Sequence, residues 1–281
     1  MRLIEGLDEM KSLTREVHSR GETVGLVPTM GYLHEGHLTL MREAKKKTGC
    51  VVTSIFVNPL QFGVGEDFAE YPRDLTRDMN LAEEAGVDVV FAPKVKEMYP
   101  NGYSTFIEVE NLTNRLCGKS RPGHFRGVTT VVAKLFNIVQ PDIAFFGQKD
   151  AQQVLVLQKM VQDLNMNLDI EVVPIVREQD GLAMSSRNVY LNPDERQAAL
   201  ALSKSLKRAV ELVKAGERDP LVIKREIIGL INQEPLAQID YVEIYKMPHL
   251  EETNHLAEKN LIALAVFIGK TRLIDNVIVE G

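Results

Sequence analysis

The chain has no tryptophan, only two cysteines and no excess of basic residues. Cys50 and Cys117 stand apart without a CxxC pair, which excludes a disulfide-stapled scaffold and predicts free thiols in a reducing compartment. Thirty-three Lys and Arg against 39 Asp and Glu leave a net charge of −6, which argues against broad, sequence-independent binding to nucleic acid. The apolar stretch Leu261 to Ile268 falls far short of the roughly 20 residues of a membrane-spanning helix. The N-terminal MRLIEGLDEMKSLTREVHSR mixes charges into helical spacing and lacks the apolar core of a signal peptide. The expected location is therefore the cytoplasm, with neither membrane nor nucleic acid as partner. No repeat or low-complexity tract is visible. What is present, 281 residues that are 44% hydrophobic and 26% charged, suits two globular domains or one large one.

Short apolar runs alternate with helical patterns through the first two thirds of the chain. Thr23 to Val27, the almost continuously apolar run CVVTSIFV (50–57), VDVVFAP, DIAFF and IEVVPIV (170–176) are expected strands. Between them, His37 to Lys47, Asp74 to Ala85, GVTTVVAKLFNIVQ and AQQVLVLQKMVQDL carry helical spacing. Five strands joined by helices imply βαβ crossovers and a doubly wound parallel sheet, an α/β fold whose ligands sit at the carboxyl ends of the strands. From Pro93 to Gly127 the pattern weakens, with Phe106 to Val109 the one strand candidate, in what reads as a long excursion over the sheet edge and a candidate lid. Asn192-Pro193-Asp194-Glu195 then supplies an N-cap, a first-turn proline and a capping-box acid for a long helix ending near Gly216, and Asp219-Pro220 opens another. IDYVEIY, LIALAVFI and RLIDNVIVE follow as strands, the last two joined through Gly269-Lys270. The expected division is 1–180 and 181–281, the latter a smaller α+β domain that covers the site.

No GxGxxG follows a strand, and Gly118-Lys119-Ser120 and Gly269-Lys270-Thr271 lack the first glycine of a P-loop. The sharpest feature is PTMGYLHEGHLTL (28–40), between the first strand and its helix. His34 and His37 stand one turn apart where unpaired N–H groups and the helix dipole converge, a field that suits neutral histidines donating to a phosphate. Gly31 and Gly36 permit close backbone approach. His-Glu-x-His is one residue short of the zinc motif HExxH and has no further ligand cluster. In FFGQKDAQQ (145–153), Gly147 allows a tight turn, Lys149 can reach a phosphate, Asp150 suits an N-cap, and Gln153 lies one turn along. In GLAMSSRNVYL, Ser185, Ser186 and Arg187 suit triphosphate oxygens. Asn58 and Gln61 leave the second strand with neutral amides suited to a small polar substrate. Each segment also has a plain structural meaning, as a capped helix, a solvated lysine or a linker. All of them, however, follow strands whose carboxyl ends share one rim.

These residues, in this order, resemble the pantothenate synthetase (pantoate-β-alanine ligase) family, through PTMGYLHEGH, SIFVNPLQF, RPGHFRGVTTVVAKLFNIVQPD, FFGQKDAQQ, VREQDGLAMSSRNVYL and TRLIDN. His34 to His37 is similar to the HIGH signature of the nucleotidylyltransferase superfamily, and MSSR to its KMSKS loop. The glutamate in place of the HIGH isoleucine and the missing loop lysine argue against a tRNA synthetase. The resemblance implies a Rossmann-like sheet of nucleotidylyltransferase type. It also implies a cytoplasmic homodimer that condenses pantoate with β-alanine through pantoyl adenylate, with Mg²⁺ accompanying ATP. It assigns ATP binding to Met30, Gly31, Tyr32, Leu33, His34, Glu35, Gly36 and His37, to Gly147, Gln148, Lys149 and Asp150, and to Val176, Met184, Ser185, Ser186 and Arg187. His37 would be the proton donor, with His34, Lys149 and Arg187 also acting in catalysis. Gln61 and Gln153, with Asn58, would hold pantoate, and Gln61 also β-alanine, while Arg121 and His124 fall in a loop near the phosphates. Val51 to Phe56 or the region after Gly63 would contribute the dimer contact. The competing expectations are an adenylyltransferase acting on a phosphorylated acceptor and a non-catalytic nucleotide-binding regulator.

Overall fold

In the computed structural model, which describes residues 1–281, six short strands pair in parallel: β1 (Arg2–Ile4), β2 (Val24–Thr29), β3 (Cys50–Ile55), β4 (Val89–Phe91), β5 (Ile143–Gly147) and β6 (Asp169–Val173). Their order is β1-β4-β3-β2-β5-β6. The middle strands read as largely apolar runs because both faces are covered, and Leu26, Val27, Val51 and Val52 are fully buried. The hydroxyl of Thr53, deep in this layer, donates to the Val27 carbonyl at 3.0 Å, so its burial leaves no donor unmet. Connecting helices are α1 (Leu7–Ser19), α2 (Glu35–Lys47), α3 (Leu75–Glu84), α4 (Val95–Met98), α5 (Leu116–Ser120), α6 (His124–Val139) and α7 (Ala151–Asp163). The chain lays β3 and β4 on one side of β2, then returns to lay β5 and β6 on the other. The order thus reverses between β2 and β5, where an α/β sheet opens a crevice at its carboxyl edge.

Four expectations need correction. Arg2 to Ile4 is an edge strand rather than part of the first helix, paired in register with Val89 to Phe91. Phe106 to Val109 is not a strand, because its backbone is claimed by α6: the Ile107 N–H donates to Thr130 Oγ1 at 3.0 Å and the Ile107 carbonyl accepts from Thr129 Oγ1 at 2.6 Å. β6 stops at Val173, since Pro174 has no N–H to continue the ladder. Val51 to Phe56 is too enclosed to offer a dimer contact, since β3 is paired on both edges and all of these residues are buried except half-buried Ile55.

Contacts divide the chain into two units: Met1–Glu110, Arg121–Gln148 and Val156–Pro174 in one, and Asn111–Ser120, Lys149–Leu155 and Ile175–Gly281 in the other. The second unit holds α8 (Pro193–Lys214), α9 (Pro220–Ile231) and the strands β7 (Ala237–Lys246), β8 (Glu251–Glu252), β9 (Lys259–Ile268) and β10 (Thr271–Glu280), antiparallel in the order β10-β9-β7-β8. α8 begins with the expected reciprocal cap, Asn192 Oδ1 accepting from the Glu195 N–H while Glu195 accepts from that of Asn192. Leu202, Ile223 and Ile227 share a core with Ile262, Leu264 and Val266. Gly269, at φ +55°, makes the tight β9–β10 turn. No helix is long and apolar enough to cross a membrane.

Candidate active site

Met30 to His37 leaves β2, Asn58 and Gln61 leave β3, and Gly147 with Gln148 ends β5 and begins the turn after it. The first two meet: Gln61 Nε2 donates to Met30 Sδ at 3.0 Å.

The turn after β2 is held in a conformation that few residues adopt. Gly31 has φ +85° and Tyr32 φ +49°, and a Cβ on Gly31 would lie 3.0 Å from both Asp78 Oδ2 and Ile55 Cγ2, so position 31 requires glycine. Asp78, buried on α3, compensates by accepting from the Tyr32 and Leu33 N–H groups at 2.6 and 2.7 Å. Burial raises its pKa above the usual carboxylate value, against the pull of these two bonds and of Arg77. Arg77 also donates to the Leu33 carbonyl at 2.9 Å and lies over the Tyr32 ring. Asp78 escapes a reading of motifs, although one signal was available: a carboxylate on the same helical face as buried Ala82.

His34 is the N-cap of α2. Its Nδ1 accepts from the Gly36 N–H at 3.2 Å, while His37 Nδ1 accepts from the His34 N–H at 3.3 Å, a capping box made of two histidines. The rings stack with centroids 4.0 Å apart. Because both Nδ1 atoms accept, each neutral ring carries its proton on Nε2 and can donate from there. Glu35 is engaged by Arg42 on the outer face of the same helix.

Asn58 is buried with all four hydrogen-bonding positions used: Nδ2 donates to Gln61 Oε1 and the Gly127 carbonyl, both at 3.1 Å, and Oδ1 accepts from Leu60 N–H and from Tyr99 OH at 2.8 Å. It therefore orients the Gln61 amide, and Tyr99, unnoticed in the sequence, steadies it in turn. The turn carrying Gln61 presses so closely on α6 that a Cβ at Gly127 would lie 2.2 Å from the Leu60 carbonyl oxygen. His124 and Arg121 also hold this turn. The Gln61 carbonyl accepts from His124 Nδ1 at 2.8 Å and Arg121 Nη2 at 3.3 Å, and Arg121 forks onto Glu66 at 2.7 and 2.6 Å. Burial alone would raise Glu66, but the guanidinium prevails and holds it down to about 2. Beside Gln61 lies a cavity of about 320 Å³, lined also by Phe62, Phe106, His124, Arg126 and Gly127. The chain passes directly from Gly147 into the 3-10 turn Gln148–Asp150, without a positive φ at the glycine, where a side chain would meet nothing within 4 Å.

In the other unit, Lys149 lies 3.7 Å from Asp150 in a 3-10 turn before α7. Gln152 turns inward to donate to the Leu112 and Arg115 carbonyls at 2.8 and 2.7 Å, which leaves Gln153 as the half-buried amide of the pair. Val176 and Met184 are joined by a backbone bond, Met184 N–H to the Val176 carbonyl at 3.0 Å. Ser185 caps the following 3-10 turn by accepting from the Arg187 N–H at 3.3 Å, and Ser186 is buried. This loop is clamped by Arg196, which forks onto Glu178 at 3.0 and 2.9 Å and reaches Asp180 at 2.5 Å, while Asn188 donates to Glu178 at 2.7 Å. The Glu178 carboxyl is partly buried, which opposes ionisation, but Arg196 and Asn188 hold it below its ordinary value. Arg196 holds Asp180 low as well. Cys50 is pushed up to about 11 by burial in β3, which makes it a poor nucleophile at neutral pH.

A family profile described as Pantoate-beta-alanine ligase matches residues 2–278. A pantothenate synthetase of Heliobacterium modesticaldum is 64% identical over 280 residues, covering 100% of both chains. That of Acetivibrio thermocellus is 61% identical, again over 100% of both. Among solved structures, a pantothenate synthetase of Thermus thermophilus superposes with a TM-score of 0.94 at 45% identity, over 99% of each chain. A pantoate-beta-alanine ligase of Francisella tularensis, complexed with beta-gamma ATP and beta-alanine, gives 0.82 at 36% identity over 99% of this chain and 97% of its own.

Proposed function

The chain belongs to the pantoate-β-alanine ligase family, and from that premise we infer that it condenses pantoate with β-alanine, converting ATP to AMP and pyrophosphate through pantoyl adenylate. The observation that carries the chemistry is the reciprocal histidine cap at the N-terminus of α2, beside the point where the strand order reverses. It presents two N–H donors from rings already oriented before any ligand arrives, which is how an electrostatic site lowers a barrier.

In the first step a pantoate carboxylate oxygen attacks the α-phosphorus of ATP, and the bond to pyrophosphate breaks. A carboxylate with a reference pKa of about 4 is already ionised at neutral pH, so this attack needs no general base. The obstacle is bringing two anions together. Mg²⁺, arriving with ATP as part of the substrate, lowers it, as do Lys149, Arg187 and the positive end of the α2 dipole. His34 and His37 donate to the phosphoryl oxygens, with His37 the proton donor. Gly147 to Asp150, Val176 and Met184 to Arg187 complete the nucleotide contacts, and the open space around Gly147 suits a phosphate approaching the backbone. Gln61, at the cavity wall, and Gln153 hold pantoate. Asn58 acts through Gln61, since its own amide is fully engaged. In the second step the amine of β-alanine, held by Gln61, attacks the acyl carbon and AMP leaves. No covalent enzyme intermediate is needed.

The protein works in this reading as a cytoplasmic homodimer on small molecules alone. Mass spectrometry of a mixture of protein, Mg-ATP, pantoate and β-alanine tests it: pantothenate, AMP and pyrophosphate should appear in equal amounts. An adenylated product that accumulates and never exchanges AMP for β-alanine would favour the adenylyltransferase instead.

A further inference from the structure

TRLIDN, on β10, takes no part in the chemistry above, yet it carries two adjacent buried polar residues: Asp275 is 2% and Asn276 3% exposed. A strand with consecutive buried polar groups is costly unless each is matched. Both are, and their partners are instructive. Asp275 accepts a fork from Arg177, Nη1 to Oδ2 at 2.7 Å and Nη2 to Oδ1 at 2.9 Å, and Oδ1 accepts in addition from the Asn276 N–H at 2.7 Å. Arg177 Nη1 also donates to the Gly181 carbonyl at 3.1 Å, and the backbone of Arg177 bridges to Ala183, one residue before Met184. Asn276 Nδ2 donates to the carbonyl of Lys149 itself, at 2.9 Å and 127 residues away in the sequence. Successive strand residues point to opposite faces, so one dipeptide can grip two separate segments. All these residues lie in the same unit of the fold.

We propose that Asp275 and Asn276 are positioning residues for the adenylation step, which set Lys149 and the Met184–Arg187 loop in one fixed relation to each other. The proposal rests on the reading that Lys149 and Arg187 bind the triphosphate. A triphosphate contacted by two cations on separate loops is stabilised only if their spacing matches it, and a displacement of about 1 Å can lower a rate by about 10²-fold.

The test separates the half-reactions. Pantoate-dependent exchange of pyrophosphate into ATP requires the triphosphate; conversion of supplied pantoyl adenylate and β-alanine to pantothenate does not. Asn276→Ala and the paired Arg177→Gln/Asp275→Asn, which leaves no unpaired buried charge, should lower exchange by about 10²-fold. The second half-reaction should stay within a few-fold of wild type, with an unchanged circular dichroism spectrum. Arg177→Lys, which keeps a cation opposite Asp275, should retain more exchange than the neutral pair. Lys149→Ala and Arg187→Ala, assayed alongside, should show the same split. If they do and the Asp275 and Asn276 variants lose both half-reactions in parallel, or neither, the positioning role is wrong and the ATP reading stands. If Lys149→Ala and Arg187→Ala leave exchange intact, the ATP reading falls and takes the positioning role with it.

Discussion

Met30 to His37 and Ser185 to Arg187 both serve nucleotide chemistry in this account, but they are held by different forces. The first is fixed by short-range bonds to backbone: Asp78 accepts two N–H groups of the turn, and the two histidines cap one helix reciprocally. The second is fixed by charge, through Arg177 with Asp275 and Arg196 with Glu178 and Asp180, where the arginine side chains are 32% and 22% exposed. Short hydrogen bonds to backbone N–H groups respond little to ionic strength, whereas ion pairs of partly exposed arginines weaken in salt and in acid. The histidine stretch is a rigid template, and the arginine loop is one whose grip depends on conditions.

The largest expected break falls on the template. His37→Ala should lower kcat for adenylation by roughly 10²–10³, as loss of a preorganised donor does elsewhere, and lower the melting temperature modestly, since half of the α2 cap goes with it at a cost of about 1 kcal/mol. Pyrophosphate exchange measures the first quantity and calorimetry the second. Asp78→Ala should follow, with a stability loss of roughly 1–3 kcal/mol for each N–H left without an acceptor, and a fall in kcat of up to about 10²-fold as the turn relaxes. Chemical denaturation and steady-state kinetics would show both, and wild-type behaviour in either would remove Asp78 from the template.

Acid should act on the charge-held regions. Glu66, at about 2 when folded against an ordinary 4.5, stabilises the fold above pH 4.5 and loses that contribution as the pH falls toward 2. Glu178 and Asp180, both lowered, change in the same sense. Melting temperature should therefore fall with pH across this window, and Glu66→Gln should flatten part of the fall. The smallest effect is expected at Cys50: with a thiol at about 11 inside β3, Cys50→Ala should keep kcat within about twofold while costing some stability.

Much of this was legible before the fold. CVVTSI announces a central strand by its largely apolar, β-branched run, and Asn192-Pro193-Asp194-Glu195 announces its helix by local cap chemistry. The positions that escaped depend on distant partners. Asp78 meets Tyr32 at a separation of 46 residues, Tyr99 meets Asn58 at 41, and Asp275 meets Arg177 at 98, and no local pattern marks such pairs. Arg2 to Ile4 is too short for its alternation to be seen, and Phe106 to Val109 has strand composition but gives its backbone bonds to threonines of α6.

The most direct measurement is the dependence of AMP release on β-alanine, followed by rapid quench with Mg-ATP and pantoate. Without the amine, pantoyl adenylate and pyrophosphate should form in amounts stoichiometric with protein, and AMP should be released only when β-alanine is added. AMP released at full rate with no amine present, or no acyl adenylate at any time, would contradict the ligase mechanism.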